Sequence, residues 1–297
     1  MIDATTKEEV LIEALPYIQT YEGKTFVIKY GGAAMTDEHL KQMFAKDVTI
    51  LRKIGINIVI VHGGGKETTD VAAKLGLETR FIHGHRFTDE PMMKVILMVL
   101  AGKLNKEIAN LINMNGGNAI GLCGVDNNLL RAKKLTNGSD DLGLVGEVTS
   151  VNTAFINLLL KEGTMPVIAP IGVGPEGDLY NINADLAAGS IASALKAEKL
   201  VYLSDIEGVL VNQKLISTLT HVQARQYIRD GAIFGGMIPK VQSAFDTLSS
   251  GVNKVHIIDG RVKHSLLLEI FTDEGIGTQM THDEAKQKAV PSNGVSQ

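Results

Sequence analysis

Apolar residues along this chain alternate between two habits. In short continuous runs they stand side by side: TFVIKY (25–30), NIVIVH (57–62), the apolar core of NAIGLCG (118–124), TMPVIAPIGV (164–173), EKLVYLS (198–204) and NKVHIID (253–259). Runs of this length bounded by glycine read as strands buried on both faces, as in a parallel sheet. Between them the apolar positions recur every three or four residues. That spacing predicts helices over Asp37–Ile54, Lys66–Leu75, 91–117 with a break near Gly102, 153–163, 184–197, 219–231 and 239–251, with a closing helix and turn over 264–278. A further helix over residues 5–20 carries Val10, Leu11, Ala14, Leu15 and Ile18 on one side. Pro16 falls inside it and predicts a kink. Strands alternating with helices imply βαβ units, an α/β protein built on a mainly parallel sheet. Residues 127–136 and 142–151 read instead as a β-ribbon around a Gly/Ser/Asp turn at 137–141.

Length and composition narrow the classes. At 297 residues the prior is about two domains. The Gly/Pro turn GVGPEGDLY (172–180) is the boundary the composition suggests. The charge of −4, with no polybasic run, argues against nucleic acid and anionic membrane as partners. VILMVLAG (95–102) is far too short to span a bilayer. A single cysteine, Cys123, excludes an internal disulfide and a cysteine metal cluster. The polar start MIDATTKEEV does not read as a signal peptide, so a cytoplasmic location is expected. The tail from about His282 is polar and reads as disordered.

Candidate chemistry gathers where runs meet glycines. VIVHGGGKE (59–67) has the parts of a phosphate loop but not its pattern. Glu67 stands where a P-loop needs Ser or Thr, and Ile60 where it needs Gly. Strand, turn and helix N-terminus still make an anion site. IKYGG (28–32) supplies a second such turn, with Lys29 at the carboxyl edge of its strand, where open α/β sheets bind ligands. Arg86 in GHRFTD (84–89) is a fork for a carboxylate, or a surface arginine. His83 and His85 beside it lack a third ligand at metal spacing, so no metal site is expected. GVGPEG (172–177) matches GxGxxG, but Pro175 and the following DLYNIN suggest a hairpin rather than a dinucleotide turn. In YNINADLAAG (180–189), Asn183 reads as an N-cap, Asp185 as a first-turn residue and Asn181 as a ligand contact, with tight helix packing as the plain alternative. Ser204 to Val209 ends an apolar strand with polar groups suited to a base and ribose. GGMIPK (235–240) leads into a helix with Lys240 near its start.

Taken in order, these pieces resemble the acetylglutamate kinases, a branch of the amino-acid kinase family. The resemblance runs over roughly residues 8–280, and the HGGG, GxR and NINAD set carries most of it. It implies an αβα sandwich preceded by an N-terminal helix. The implied division is an interlacing helix over 1–22, an acetylglutamate-binding and dimerising lobe over 23–174, an ATP-binding lobe over 175–281, and a tail over 282–297. The implied reaction transfers phosphate from ATP to the side-chain carboxylate of N-acetyl-L-glutamate, a step of arginine biosynthesis. By motif, Lys29, Lys240 and Asp185 are implied as catalytic. Gly64, Gly65, Arg86 and Asn181 hold substrate, beside the glycine loop Gly31 and Gly32. Tyr202, Leu203, Ser204, Asp205, Glu207, Gly235, Gly236 and Met237 contact ATP. Mg²⁺ is held mainly through the phosphates. The chemistry agrees independently: a carboxylate nucleophile is already ionised at neutral pH and needs no general base. Positioning and charge neutralisation remain.

The N-terminal helix, with Tyr17 in LPYI, and the segments HIIDGR and LLLEIFTDEGIGT resemble the arginine-inhibited members. They imply feedback inhibition by arginine through Tyr17, His256, Glu269, Gly275 and Gly277, and a hexamer made of three dimers. In some lineages a PII-type signalling protein also binds. The chain departs from the common pattern at Lys66, where proline is usual, and at Ala33, where asparagine is. Glutamate 5-kinase, aspartokinase and UMP kinase share the expected fold. A silent arginine sensor and a dinucleotide oxidoreductase are the rivals outside the kinases.

Overall fold

The computed structural model describes residues 4–136, 140–272 and 275–282. Residues 137–139 of the expected turn at 137–141, and most of the tail, lie outside them. Along the chain, α1 (Ala4–Tyr21) leads into β1 (Thr25–Tyr30), a 3₁₀ turn at Gly32–Met35, α2 (Glu38–Lys53), β2 (Asn57–His62) and α3 (Gly65–Lys74). A small hairpin, β3 (Phe81–Ile82) and β4 (His85–Arg86), precedes α4 (Glu90–Ile96). A π-helical stretch, Leu97–Leu104, joins α4 to α5 (Asn105–Met114). Then come β5 (Ala119–Cys123), β6 (Leu130–Lys134), β7 (Val145–Val151), α6 (Thr153–Lys161), β8 (Met165–Ala169), β9 (Ile171–Val173), β10 (Leu179–Ile182) and α7 (Ala184–Leu195). The remainder is β11 (Lys199–Ser204), β12 (Leu210–Val211), β13 (Lys214–Leu215), β14 (Thr218–Thr220), α8 (His221–Arg229), α9 (Met237–Ser249), β15 (Lys254–Asp259), α10 (Ser265–Phe271) and β16 (Thr278–Thr281).

Eight strands form one sheet in the order β14-β16-β15-β11-β1-β2-β8-β5. All neighbours are parallel except β16, which runs against β15. Period-two alternation then divides the core. Phe26, Ile28 and Tyr30 face one side with α2, the helices of 90–114 and α10. Val27, Val59, Val61 and Tyr202 face the other with α6, α7 and α9. The result is the expected αβα sandwich. Strands β10, β7, β6 and β9 close on themselves at one end of it. GVGPEG is the turn of the antiparallel β9–β10 hairpin, with the Gly174 and Asp178 backbones bonded at 2.8 Å. It opens no helix, as the proline suggested.

Three details differ from the sequence reading. The helix over 91–117 is widened around Gly102 rather than broken, because the chain inserts an i→i+5 turn there, with the Asn105 N–H donating to the Leu100 carbonyl. The run 164–173 splits at Pro170 into β8 of the main sheet and β9 of the small barrel. Two strands at one end of the sheet, the edge strand β14 and its neighbour β16, were not expected from the pattern. Each is short and polar, so neither carries an apolar run. Among the described residues no helix is long and apolar enough to cross a membrane.

Candidate active site

Lys29 lies one step past Val27 on the face that α7 and α9 cover. Asn183 caps α7, its side chain accepting from the Asp185 and Leu186 amides at 2.8 and 3.2 Å. That cap fixes Asp185 in the first turn, directly over the sheet. The Lys29 ammonium reaches one Asp185 oxygen at 3.1 Å, and Lys240 from the start of α9 reaches the other at 3.4 Å. Burial pushes the Asp185 carboxyl up, but Lys29 and Lys240 more than offset that and hold it below the usual carboxylate range. One carboxylate thus spaces two ammonium groups at the carboxyl edge of the sheet. Lys240 also lies 5.6 Å from the centre of the Tyr202 ring.

The two glycine turns flank this triad. A Cβ at Gly31 would lie 2.6 Å from the Lys29 ammonium, and one at Gly32 2.3 Å from the Asp205 carboxylate. Across a cavity of about 330 Å³ lined by Gly32, Thr36, Gly64 to Glu67 and Asp205 stands the N-terminus of α3. Three helix N-termini, those of α3, α7 and α9, therefore begin around one cleft, which favours anions.

A second cavity, of about 170 Å³, adjoins the first through Gly64 and Gly65. Arg86, Asn181, Asn183 and Phe81 line it. The Arg86 guanidinium donates to the Gly65 carbonyl at 2.8 Å, to Thr69 at 2.9 Å and to Thr79 at 3.3 Å, and rests 4.9 Å from the Phe81 ring centre. Those bonds use three of its five N–H donors. Asn181 donates to Thr88 at 3.1 Å. Arg86 sits on β4 rather than in an open loop.

The nucleotide candidates are dispersed. Tyr202 and Leu203 are core side chains, closed to a ligand, while Asp205 and Glu207 are exposed. Gly235 and Gly236 form the turn before α9, which Met237 opens, with nothing within 4 Å of a Cβ at either glycine.

Tyr17, His256, Glu269 and Gly275 line a third cavity of about 130 Å³, at the amino ends of β11 and β15. His256 Nδ1 meets Glu269 at 2.6 Å, and the other Glu269 oxygen accepts from the Ile276 and Gly277 amides at 2.7 and 3.1 Å. Burial pushes the His256 imidazole down to about 4, and Lys199 adds to this, so it is neutral at pH 7. With Nδ1–H given to Glu269, its buried Nε2 is a lone pair that meets no donor. Lys199, almost fully buried on the same wall, has its ammonium pushed down to about 8 by burial and by Lys254. Sequence reasoning passed over Lys199, although it stands at the start of an apolar run much as Lys29 stands near the end of one. It also gave no role to Thr88, Thr69 or Asn105, whose positions depend on contacts far apart in the chain.

The fold and this cleft define a phosphotransferase of the amino-acid kinase class, and the sequence profile of the amino acid kinase family matches residues 24–259. An acetylglutamate kinase from Chlorobaculum tepidum is 58% identical over 287 residues, 97% of this chain and 100% of the relative. One from Syntrophus aciditrophicus is 51% identical, covering 93% and 97%. The chain belongs to the acetylglutamate kinases of the amino acid kinase family. Among solved structures, an N-acetylglutamate synthase from Neisseria gonorrhoeae complexed with coenzyme A and N-acetyl-glutamate aligns with a TM-score of 0.83 at 28% identity. The alignment covers 92% of this chain, which spans 63% of that longer protein. A carbamate kinase from Giardia, 16% identical with a TM-score of 0.64, shares the fold.

Proposed function

We propose that the chain transfers the γ-phosphoryl group of ATP to the side-chain carboxylate of N-acetyl-L-glutamate, giving N-acetylglutamyl 5-phosphate for arginine biosynthesis in the cytoplasm. The observation that carries this is the single carboxylate, Asp185, held between two ammonium groups where two glycine turns and three helix N-termini meet. In this reading the acceptor occupies the cavity of Arg86 and Asn181, its carboxylates drawing on the free donors of Arg86 and the Gly64 and Gly65 amides. The nucleotide lies along β11 and the start of α9, between residues 202–207 and 235–237. Lys29 and Lys240 take up the charge spread over the transferring group, and Asp185 keeps them apart. Asp205 faces the cavity between the turns, a fit for a phosphate-bound Mg²⁺ with few protein ligands. When bound, that ion neutralises phosphate charge. On this reading residues 23–174 form the acceptor lobe and 175–281 the nucleotide lobe.

We also propose that the third cavity takes free arginine as an inhibitor. It offers Glu269 and the His256 lone pair to a guanidinium and the Lys199 ammonium to a carboxylate. The Neisseria synthase has also been solved with coenzyme A and L-arginine. It aligns at a TM-score of 0.78 and 26% identity, with this chain spanning 65% of its length. The α1 helix, which brings Tyr17 to this cavity, is the element through which three dimers would interlace as a hexamer.

A coupled ADP-release assay with ATP, Mg²⁺ and N-acetyl-L-glutamate, run beside glutamate, aspartate and UMP, tests the substrate. Turnover with acetylglutamate alone is expected, and turnover with another acceptor would reassign Arg86 and Asn181. Titrating arginine into that assay tests the third cavity. Unchanged rates at millimolar arginine would remove the inhibitory role.

A further inference from the structure

In the turn Gly63–Gly65, the peptide between Gly63 and Gly64 is held neither by α3 nor by the pairing of β2 with β1. The Gly64 and Gly65 carbonyls already belong to α3. Thr68 donates to Gly64 through both its amide and its hydroxyl, at 3.0 and 2.8 Å, and Thr69 and Arg86 donate to Gly65. The Gly63 carbonyl is met instead by the ring of the residue before it: His62 Nδ1 lies 2.7 Å away. A planar trans peptide points its C=O and N–H in opposite directions. Holding the Gly63 oxygen against the buried imidazole therefore turns the Gly64 N–H outward. Among the described residues that N–H meets no acceptor, and Gly64 lines both the acceptor cavity and the cavity between the turns.

The ring can hold the carbonyl only if the proton sits on Nδ1, and Asn105 enforces this. Its amide nitrogen lies 2.8 and 3.1 Å from the Val167 and Leu122 carbonyls, which only accept, so that group is the NH₂. The same nitrogen, with both hydrogens directed at those carbonyls and no lone pair to accept with, stands 3.2 Å from His62 Nε2; an N–H on Nε2 would face a donor, so Nε2 is the bare nitrogen. Lys106 closes the chain by donating to the Asn105 oxygen at 3.1 Å. The widened helical turn brings these groups together. With i→i+5 spacing, Leu100 and Asn105 share a face, so Leu100 and Leu104 wall Gly64 while Asn105 reaches beneath the turn.

We propose that His62 is a positioning residue for phosphoryl transfer, orienting the Gly63–Gly64 peptide so that the Gly64 N–H faces the transferring group, with Asn105 fixing its tautomer. This rests on the kinase reading above. Two substitutions separate positioning from simple filling of the core. In His62→Asn the amide nitrogen takes the place of Nδ1 and can still reach the Gly63 carbonyl. In His62→Gln the amide takes the place of Nε2, keeping Asn105 company and releasing the carbonyl. Loss of one oriented donor predicts that His62→Gln loses about 100-fold in kcat, with acetylglutamate binding by calorimetry within about threefold, while His62→Asn stays within about fivefold of the parent. A purely structural histidine predicts the reverse order, or equal losses, and either result overturns the proposal. ¹⁵N spectra of the unsubstituted protein at pH 7 give a readout independent of turnover. A protonated Nδ1 and bare Nε2 on His62 are expected, together with a Gly64 amide signal that shifts in His62→Gln and not in His62→Asn. The opposite tautomer ends the proposal even if either variant fails to fold. Absence of acetylglutamate turnover in the unsubstituted protein, with the expected tautomer and amide shifts intact, would count against the substrate reading and leave the peptide's orientation standing.

Discussion

The two glycine turns to which the proposed reaction gives a part, Gly63–Gly65 and Gly235–Gly236, are built in opposite ways. The turn Gly63–Gly65 is closed tightly at its middle residue, Gly64. A Cβ on Gly64 would lie 2.4 Å from Leu104 and 2.5 Å from Leu100, at a φ of +152°. At Gly235–Gly236 there is open space around both residues, and Phe234 beside them is 74% exposed. The first turn must be glycine because the fold closes around it. The second is glycine without any packing demand, which suits a segment that has to meet something arriving from outside. One donates from a fixed frame, and the other is free to adjust.

Gly64→Ala attacks the fixed turn and has the largest expected effect. Steric overlap and a backbone conformation hostile to side chains should cost about 1–3 kcal/mol in thermal or urea unfolding. The displaced N–H should cost about 100-fold or more in kcat. Near-normal activity in that variant would erase the contrast between the turns. Lys240→Ala, just beyond the open turn, should lower kcat by a similar ~10²–10³-fold with stability close to the parent's. If it unfolded instead, the open turn would prove structural as well.

The fixed turn is also tied to acid stability. Burial pushes the His62 imidazole down to about 4, from an ordinary 6.5. Between those values the unfolded chain binds a proton that the folded chain refuses, so stability falls as pH drops through that window, by up to about 3 kcal/mol near pH 4. Urea midpoints at pH 7, 5.5 and 4.5 would show it, and His62→Asn should reduce the slope while leaving the share that the buried His256 contributes over the same window. The smallest effect belongs to Gly236→Ala. Its φ of −66° suits alanine and its surroundings are empty, so stability should stay within about 0.5 kcal/mol. Any change should appear in the KM for ATP, where an unchanged value would move the nucleotide away from this turn.

Much of this was legible in the chain. Unbroken apolar runs ending in glycine gave β1 and β2 their place in a parallel sheet, because burial on both faces leaves no other pattern. Lys29 stood out because a lysine at the end of such a run has only the carboxyl edge of the sheet to occupy, and the N-cap signal of Asn183 located Asp185 within a turn. What stayed hidden depends on partners distant in sequence. Nothing in KLNKE marks Asn105 as a buried group beneath a glycine turn, since its direction is set by the widened helical turn before it. The edge strand β14 and its neighbour β16 exist through pairing rather than through their own apolar content. The resemblance implies Tyr202 as part of the nucleotide segment, and its ring is buried in the core under α7 and α9.

Strand β11 begins beside the cavity of Lys199 and ends beside the cleft of Ser204 and Asp205, a separation of about 16 Å along five residue steps. It is hydrogen-bonded to β1 on one side and β15 on the other. A rod clamped along both edges does not stretch or slip, so the sheet fixes the distance between its two ends. Under the proposed arginine inhibition, the strand would act as a spacer of set length, and any signal along it would have to move the sheet that holds it.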